Sequence, residues 1–233
     1  MSLKLKIKRL VSYLEYKTGL RSTIPGVVIN AVPVHENNEP LVDIKKADAC
    51  LFFGERFKNE KSVFLRKSVA EKLIKAAGSL PEGVFMIVYD AFRSLEKQRK
   101  RWNEKYKYFK ELYPDESDEV ITKRTTRALV ANPYTGGYGG HQTGGAVDVG
   151  LCDKSGCELN MGTPYVGTGR ETRTKFRFKD EVINRNRKLL LEVMQKQGFV
   201  NYPNEWWHFC YGDRMWAAYS NKSSCFYGLV EEI

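Results

Sequence analysis

What this sequence lacks narrows it first. None of its 233 positions opens a window of 18 apolar residues, so no stretch has the character of a membrane-crossing helix. Residues 128–147 carry no Asp, Glu, Lys or Arg, yet six glycines and a proline give them the composition of a loop. There is no internal repeat, no low-complexity tract and no clear linker, which points to a single domain over residues 1–233. The five cysteines (Cys50, Cys152, Cys157, Cys210, Cys225) are odd in number and form no C-x-x-C pair, which argues against a zinc ribbon and against a closed disulfide framework. Free thiols in a reducing compartment are expected, although Cys152 and Cys157 bracket a short turn and would close a small loop in an exported protein. The basic N-terminus is followed by no long apolar core or small-residue cleavage pattern, so the cytoplasm is the expected location. A leader removed ahead of Met1-Ser2-Leu3 would make the periplasm the alternative. Histidine is scarce too, with only His35, His141 and His208.

What is present is ordinary globular composition, 42% hydrophobic and 28% charged, with a strong basic excess. The 38 Lys and Arg outnumber the 28 Asp and Glu, giving a net charge of +10 that attracts nucleic acid, membrane surfaces or carboxylate substrates. Residues 24–57 alternate short apolar runs such as Val27-Val28-Ile29 with Pro, Gly and Asn, so residues 1–60 are expected to form an irregular, strand-rich segment packed on the domain. Lys61 to Ala77 has helical apolar spacing and ends at Gly78. Val84 to Tyr89 is a strand-length apolar run that delivers Asp90-Ala91-Phe92-Arg93 to its end. Ser94 is placed to cap a helix over Leu95–Leu112, and another helix is predicted over 116–130. A Gly-rich loop, 132–145, leads into the short strand Ala146-Val147-Asp148-Val149. A helix carrying Val182, Ile183, Leu189, Leu190, Val193 and Met194 stops at Gly198. Phe199 to Tyr219 is aromatic and strand-like, with a turn at Tyr211-Gly212-Asp213. Helices and strands mix without strict alternation, so the fold class is α+β.

Arg99-Lys100-Arg101-Trp102 and Lys105-Tyr106-Lys107-Tyr108 interleave cations and aromatic rings in the manner of a nucleic-acid surface. Trp102, Tyr106 and Phe109 recur at i, i+4 and i+7, however, so helix packing explains the rings better and no nucleic-acid partner is expected.

The chemistry concentrates on two histidines beside carboxylates. His141 stands in Gly139-Gly140-His141-Gln142-Thr143-Gly144-Gly145-Ala146-Val147-Asp148, where a glycine loop presents an imidazole and the following strand a carboxylate. His208 closes Glu205-Trp206-Trp207-His208. Two imidazoles and one carboxylate suit a catalytic zinc with a fourth position for water, and the remaining carboxylate would serve as base. A lone His-x6-Asp or E-x-x-H is weak by itself. In an ideal strand residues 205 and 208 point to opposite faces, so a turn at Pro203-Asn204 has to bring Glu205 round. The same alternation leaves Cys210 as a competing ligand or a buried structural thiol.

Taken together, these motifs resemble the zinc D-alanyl-D-alanine dipeptidases of the vancomycin-resistance type, within the wider group of zinc DD-peptidases. His141, Gly144, Ala146 and Asp148 match the pattern S-x-H-x-x-G-x-A-x-D in register, and Glu205-Trp206-Trp207-His208 reproduces E-W-W-H. Tyr89-Asp90-Ala91-Phe92-Arg93-Ser94, Met161-Gly162-Thr163-Pro164, Asn184-Arg185-Asn186-Arg187 and Gly198-Phe199 also look familiar, so the resemblance covers about residues 84–220. It implies a central, mostly antiparallel sheet flanked by helices, of the DD-peptidase/hedgehog kind. It also implies one Zn2+ per chain on His141, Asp148 and His208, Glu205 as general acid and base, and Arg93 at the reacting carbonyl.

The activity implied is hydrolysis of D-Ala-D-Ala or a related small dipeptide in peptidoglycan metabolism, the partner being a small peptide with a free carboxylate. A zinc D,D- or L,D-carboxypeptidase trimming longer stem peptides is the alternative. Without those motifs Arg93 would be read as pairing Asp90 at the surface; with them it is expected to stabilise the oxyanion, a contribution of about 3–4 kcal/mol. A site kept only for structure would not need the uncoordinated Glu205. Two departures bear on the substrate. Gly139 replaces the family's Ser, and Tyr165-Val166-Gly167 stands where an acidic residue suited to a substrate ammonium is usual, leaving Asp153, Glu158 or Glu171 as candidate replacements.

Overall fold

The apolar run before Asp90 and the strand after the glycine loop become neighbours at the centre of a sheet. The computed structural model describes residues 3–47, 51–128, 132–134 and 139–231. In chain order the helices are α1 (Leu3–Lys17), α2 (Gly26–Asn30), α3 (Lys67–Ala77), α4 (Leu95–Leu112), α5 (Asp118–Arg127), α6 (Glu181–Lys196) and α7 (Arg214–Tyr219). The strands are β1 (Leu41–Asp43), β2 (Leu51–Phe53), β3 (Phe64–Arg66), β4 (Phe85–Asp90), β5 (Ala146–Cys152), β6 (Val200–Asn201) and β7 (His208–Cys210). Five of them form one sheet in the order β2-β4-β5-β7-β6, antiparallel at every pairing except β2 with β4, while β1 and β3 form a separate antiparallel ribbon. This is the α+β, mostly antiparallel arrangement that the sequence implies.

Every residue of β5 is buried, because the strand is covered on both faces. Val147, Val149 and Leu151 share one hydrophobic cluster with Met86 and Val88 of β4, Val69 and Leu73 of α3, and Leu190 and Met194 of α6. Helix starts follow the expected chemistry: the Ser94 side chain accepts from the Lys97 amide, and Asp180 accepts from the Val182 amide. Within α4, Trp102 is buried and stacks on Tyr106, with ring centroids 5.1 Å apart.

Four segments differ from the sequence reading, where tertiary contacts override local preference. The helix expected from Lys61 begins at Lys67, since Phe64–Arg66 pair with Leu41–Asp43. Val27-Val28-Ile29 lies in α2, and the tail turns helical after Asp213, whose carboxylate accepts from the Trp216 amide at 2.7 Å. Val28 packs with Ile24, Val32, Ala217, Ala218 and Tyr219 in a satellite core. Residues 3–17, expected to be irregular, form α1. The candidate thiols Cys152, Cys157, Cys210 and Cys225 are all free, and Cys50 lies outside the described residues. Among the described residues no helix is long and apolar enough to cross a membrane.

The β1–β3 ribbon braces the turn that carries His141. The Arg66 amide donates to the Gly144 carbonyl at 3.0 Å, and its Nε donates to the Thr143 carbonyl at 2.8 Å. Gly144 has φ +70, and a Cβ there would stand 2.5 Å from Leu41 Cδ2. Gly144→Ala is therefore expected to cost about 2–4 kcal/mol, combining left-handed strain of about 1–2 kcal/mol with overpacking. Urea unfolding measures it, and a loss below about 1 kcal/mol would contradict this account of the brace.

Candidate metal centre

Strand register places the first two groups. Asp148 of β5 lies directly opposite His208 of β7 and, past an irregularity in β4, opposite Asp90, so the three stand in one row across the sheet. His141 arrives from the tight turn Gly140–Thr143 immediately before β5. Its carbonyl accepts from the Arg93 amide at 3.1 Å, which ties the glycine loop to the segment after β4.

The ligating atoms of His141, Asp148 and His208 all lie within 4.8 Å of one another, and all three residues are buried. His141 Nε2 is 3.3 Å from Asp148 Oδ1, and His208 Nδ1 is 2.9 Å from the same oxygen. Because His141 Nδ1 is 2.8 Å from the Ala91 carbonyl, which can only accept, the proton of a neutral ring belongs on Nδ1. The Nε2 lone pair then faces a carboxylate oxygen, an arrangement that requires a positive charge between them. Electrostatics agree: burial opposes a charged His208, but Asp148 and Glu205 push its pKa up to about 9. Burial also opposes an ionised Asp148, yet His141 and His208 hold it well below the usual carboxylate range. The trio could hold a cation: its donor set, two imidazoles and a carboxylate, fits a divalent zinc with an open position.

Glu205 and Arg93 line the same cleft of about 260 Å³ as the trio, with Tyr202, Trp207 and Met215 among the walls. Glu205 sits in a turn, its amide bonded to the Tyr202 carbonyl at 3.0 Å, and β7 begins only at His208. That turn is what frees the acid from strand alternation. Desolvation pushes the Glu205 carboxyl up to about 7, with Asp148 adding to the rise and His208 and Arg93 opposing it. Arg93 does pair with Asp90, but the pair is buried rather than superficial, and its other terminal nitrogen bonds the Gln98 carbonyl. Asp90 also meets Arg56, and Arg101 at 3.3 Å, so three guanidinium groups share one fully buried carboxylate. Cys210 stays out of the trio and donates to the Val200 carbonyl. None of Asp153, Glu158 and Glu171 lines the cleft.

Several supporting residues were not read from the sequence as part of the site. Tyr165, which carries no motif of its own, donates its hydroxyl to Asp148 Oδ2 at 3.0 Å and stacks on Tyr89 at 4.6 Å between centroids. Tyr89 lies over Gly150, where a Cβ would come 2.4 Å from its hydroxyl oxygen. The Met161-Gly162-Thr163 stretch is a clamp: buried Arg187 donates to the Met161 carbonyl at 2.7 Å, and Thr163 Oγ1 accepts from the Trp206 indole at 2.9 Å. Only their place beside recognisable motifs could have signalled these roles.

Comparison with known proteins follows the same lines. The family model Peptidase_M15, described as D-ala-D-ala dipeptidase, matches residues 41–228. A D-alanyl-D-alanine dipeptidase of Synechocystis sp. is 25% identical over 236 residues, covering 86% of this chain and 96% of that protein. One from Escherichia coli is 25% identical over 169 residues, covering 72% and 77%. A solved vancomycin resistance D,D-pentapeptidase, VanY in complex with Zn(II), aligns with a TM-score of 0.45 at 21% identity, covering 84% of this chain and 96% of that one.

The hydroxyl of Tyr165 orients the acid of the trio, so Tyr165→Phe is expected to weaken zinc affinity by about 10–100-fold while costing only about 1 kcal/mol of stability. Competition against a chromophoric chelator measures the affinity; an unchanged value would show that the hydroxyl has no part in holding the acid.

Proposed function

The chain belongs to the D-ala-D-ala dipeptidase family of peptidases, and from that premise we propose that it hydrolyses D-Ala-D-Ala, or a closely related small dipeptide, with one zinc ion held by His141, Asp148 and His208. Both relatives described above carry the name D-alanyl-D-alanine dipeptidase. The observation that carries the reading is the convergence of the trio with an unliganded acid, Glu205, and a buried cation, Arg93, in one small cleft.

Bound to the trio, zinc would supply Lewis acidity to the scissile carbonyl and to the attacking water. Glu205, ionised, accepts the water's proton and returns it to the leaving amine, a role matched by a carboxyl pushed up to about 7. Arg93, anchored by Asp90 and Gln98, keeps a fixed guanidinium at the cleft wall, where it stabilises negative charge growing on the carbonyl oxygen. Arg101, also on the wall, adds to the positive field that draws in the carboxylate of the peptide. A base must be ionised to act, so kcat/KM falls as pH drops through the Glu205 pKa.

Glu205→Ala is expected to keep zinc and lose hydrolysis by about 10²–10⁴-fold, whereas His208→Ala loses both, as metal analysis beside an alanine-release assay reads directly. Near-normal turnover by the Glu205 variant would contradict the mechanism. On substrate choice, kcat/KM for free D-Ala-D-Ala is expected to exceed that for a pentapeptide stem by about tenfold or more. The reverse preference would make the protein a carboxypeptidase of longer stems.

A further inference from the structure

Helix α1 is apolar on its outward side. Inward, Ser12 is buried, Tyr16 meets Tyr219 edge-on at 4.8 Å between centroids, and Arg9 bonds the Ser223 carbonyl at 3.0 Å, so the helix is fastened to the C-terminal part of the chain. Outward, Leu3, Ile7, Leu10, Val11 and Leu14 are 73%, 55%, 49%, 47% and 50% exposed. At about 100° per residue these five fall within an arc of about 100°. Lys6 and Lys17 border one edge of that arc, Lys4 and Lys8 the other, and all four are exposed. A continuous apolar stripe turned to solvent marks an interaction surface.

We propose that α1 lies in the surface of an anionic lipid bilayer, its five apolar side chains in the acyl boundary and its lysine rails among the headgroups. Charge complementarity selects this partner. The rails carry four positive charges on a chain of net charge +10, and long lysine stems reach from an apolar stripe to anionic headgroups. A second copy of the chain fits less well, since pairing two stripes would bring the lysine rails together. The nearest acid on the helix, Glu15, is already engaged by Arg21 at 2.8 Å. The position also makes sense for the enzyme. α1 packs on α2, and Gly26, Ile29 and Asn30 of α2 line a cavity that shares Gly139, Gly140, Tyr202 and Met215 with the metal cleft.

Vesicle sedimentation of the full chain tests this, comparing phosphatidylcholine vesicles with vesicles containing about one-third phosphatidylglycerol. The wild-type chain is expected to sediment with the anionic vesicles at about 1 mM lipid and hardly with the neutral ones. Lys6→Gln with Lys17→Gln should lower the partition about 30-fold, at about fivefold per cation. Ile7→Glu with Leu14→Glu should abolish it, with circular dichroism and hydrolytic activity unchanged because both positions are exposed. Absence of binding to anionic vesicles would overturn the proposal, as would equal binding to neutral ones. So would light scattering that shows a wild-type dimer converted to monomer by the glutamate pair.

Discussion

A buried carboxylate that must find positive charge organises the centre of this molecule. Asp148 is 4% exposed and faces two imidazole nitrogens within 3.3 Å through a single oxygen. An unpaired buried charge costs several kcal/mol, so the surroundings are built either to neutralise it or to share it with a cation. The sheet supplies His208, because cross-strand register sets it opposite Asp148. The glycine turn supplies His141, and the Ala91 carbonyl fixes which of its nitrogens faces inward. Tyr165 then takes the second oxygen of the carboxylate. Each of these contacts orients a donor towards one point, the arrangement expected where a divalent ion completes the charge balance.

Asp90, in the same row across the sheet, meets the same need with guanidinium groups. Its carboxylate is fully buried and gathers Arg56, Arg93 and Arg101, leaving a surplus of positive charge beside the cleft. The two acids therefore define two neighbouring fields: one that draws a cation and one that holds guanidinium groups ready for an anion. Glu205 stands between these influences, and desolvation rather than any single neighbour dominates its raised pKa. Peptide hydrolysis needs such a division, with an electrophilic pole for the carbonyl and a base able to exchange a proton near neutrality.

The candidate site residues are more legible in the sequence than the segments that support them. His141, Asp148, Glu205 and His208 sit in short motifs whose spacing survives in the sequence, and the turn required to bring Glu205 round could be read from Pro203 and Asn204. The strand 85–90 and helix 95–112 were equally plain, since a long apolar run and a capping serine are local signals. What could not be read depends on distant partners. Val27-Val28-Ile29 has strand propensity but packs as a helix against α7, and Phe64–Arg66 leaves a helical pattern to pair with β1. Tyr165 carries no motif of its own; its role comes from lying 3.0 Å from Asp148 across a 17-residue separation. The outward stripe of α1 is written at helical spacing, but only the structure reveals that it faces solvent.

The central claim is that His141, Asp148 and His208 hold one zinc ion, and X-ray absorption at the zinc edge of the loaded protein tests it most directly. The account predicts one zinc per chain in a first shell of only nitrogen and oxygen, at about 2.0–2.2 Å with the imidazole signature of two histidines. A sulfur scatterer at about 2.3 Å, or a shell without imidazole, would contradict it.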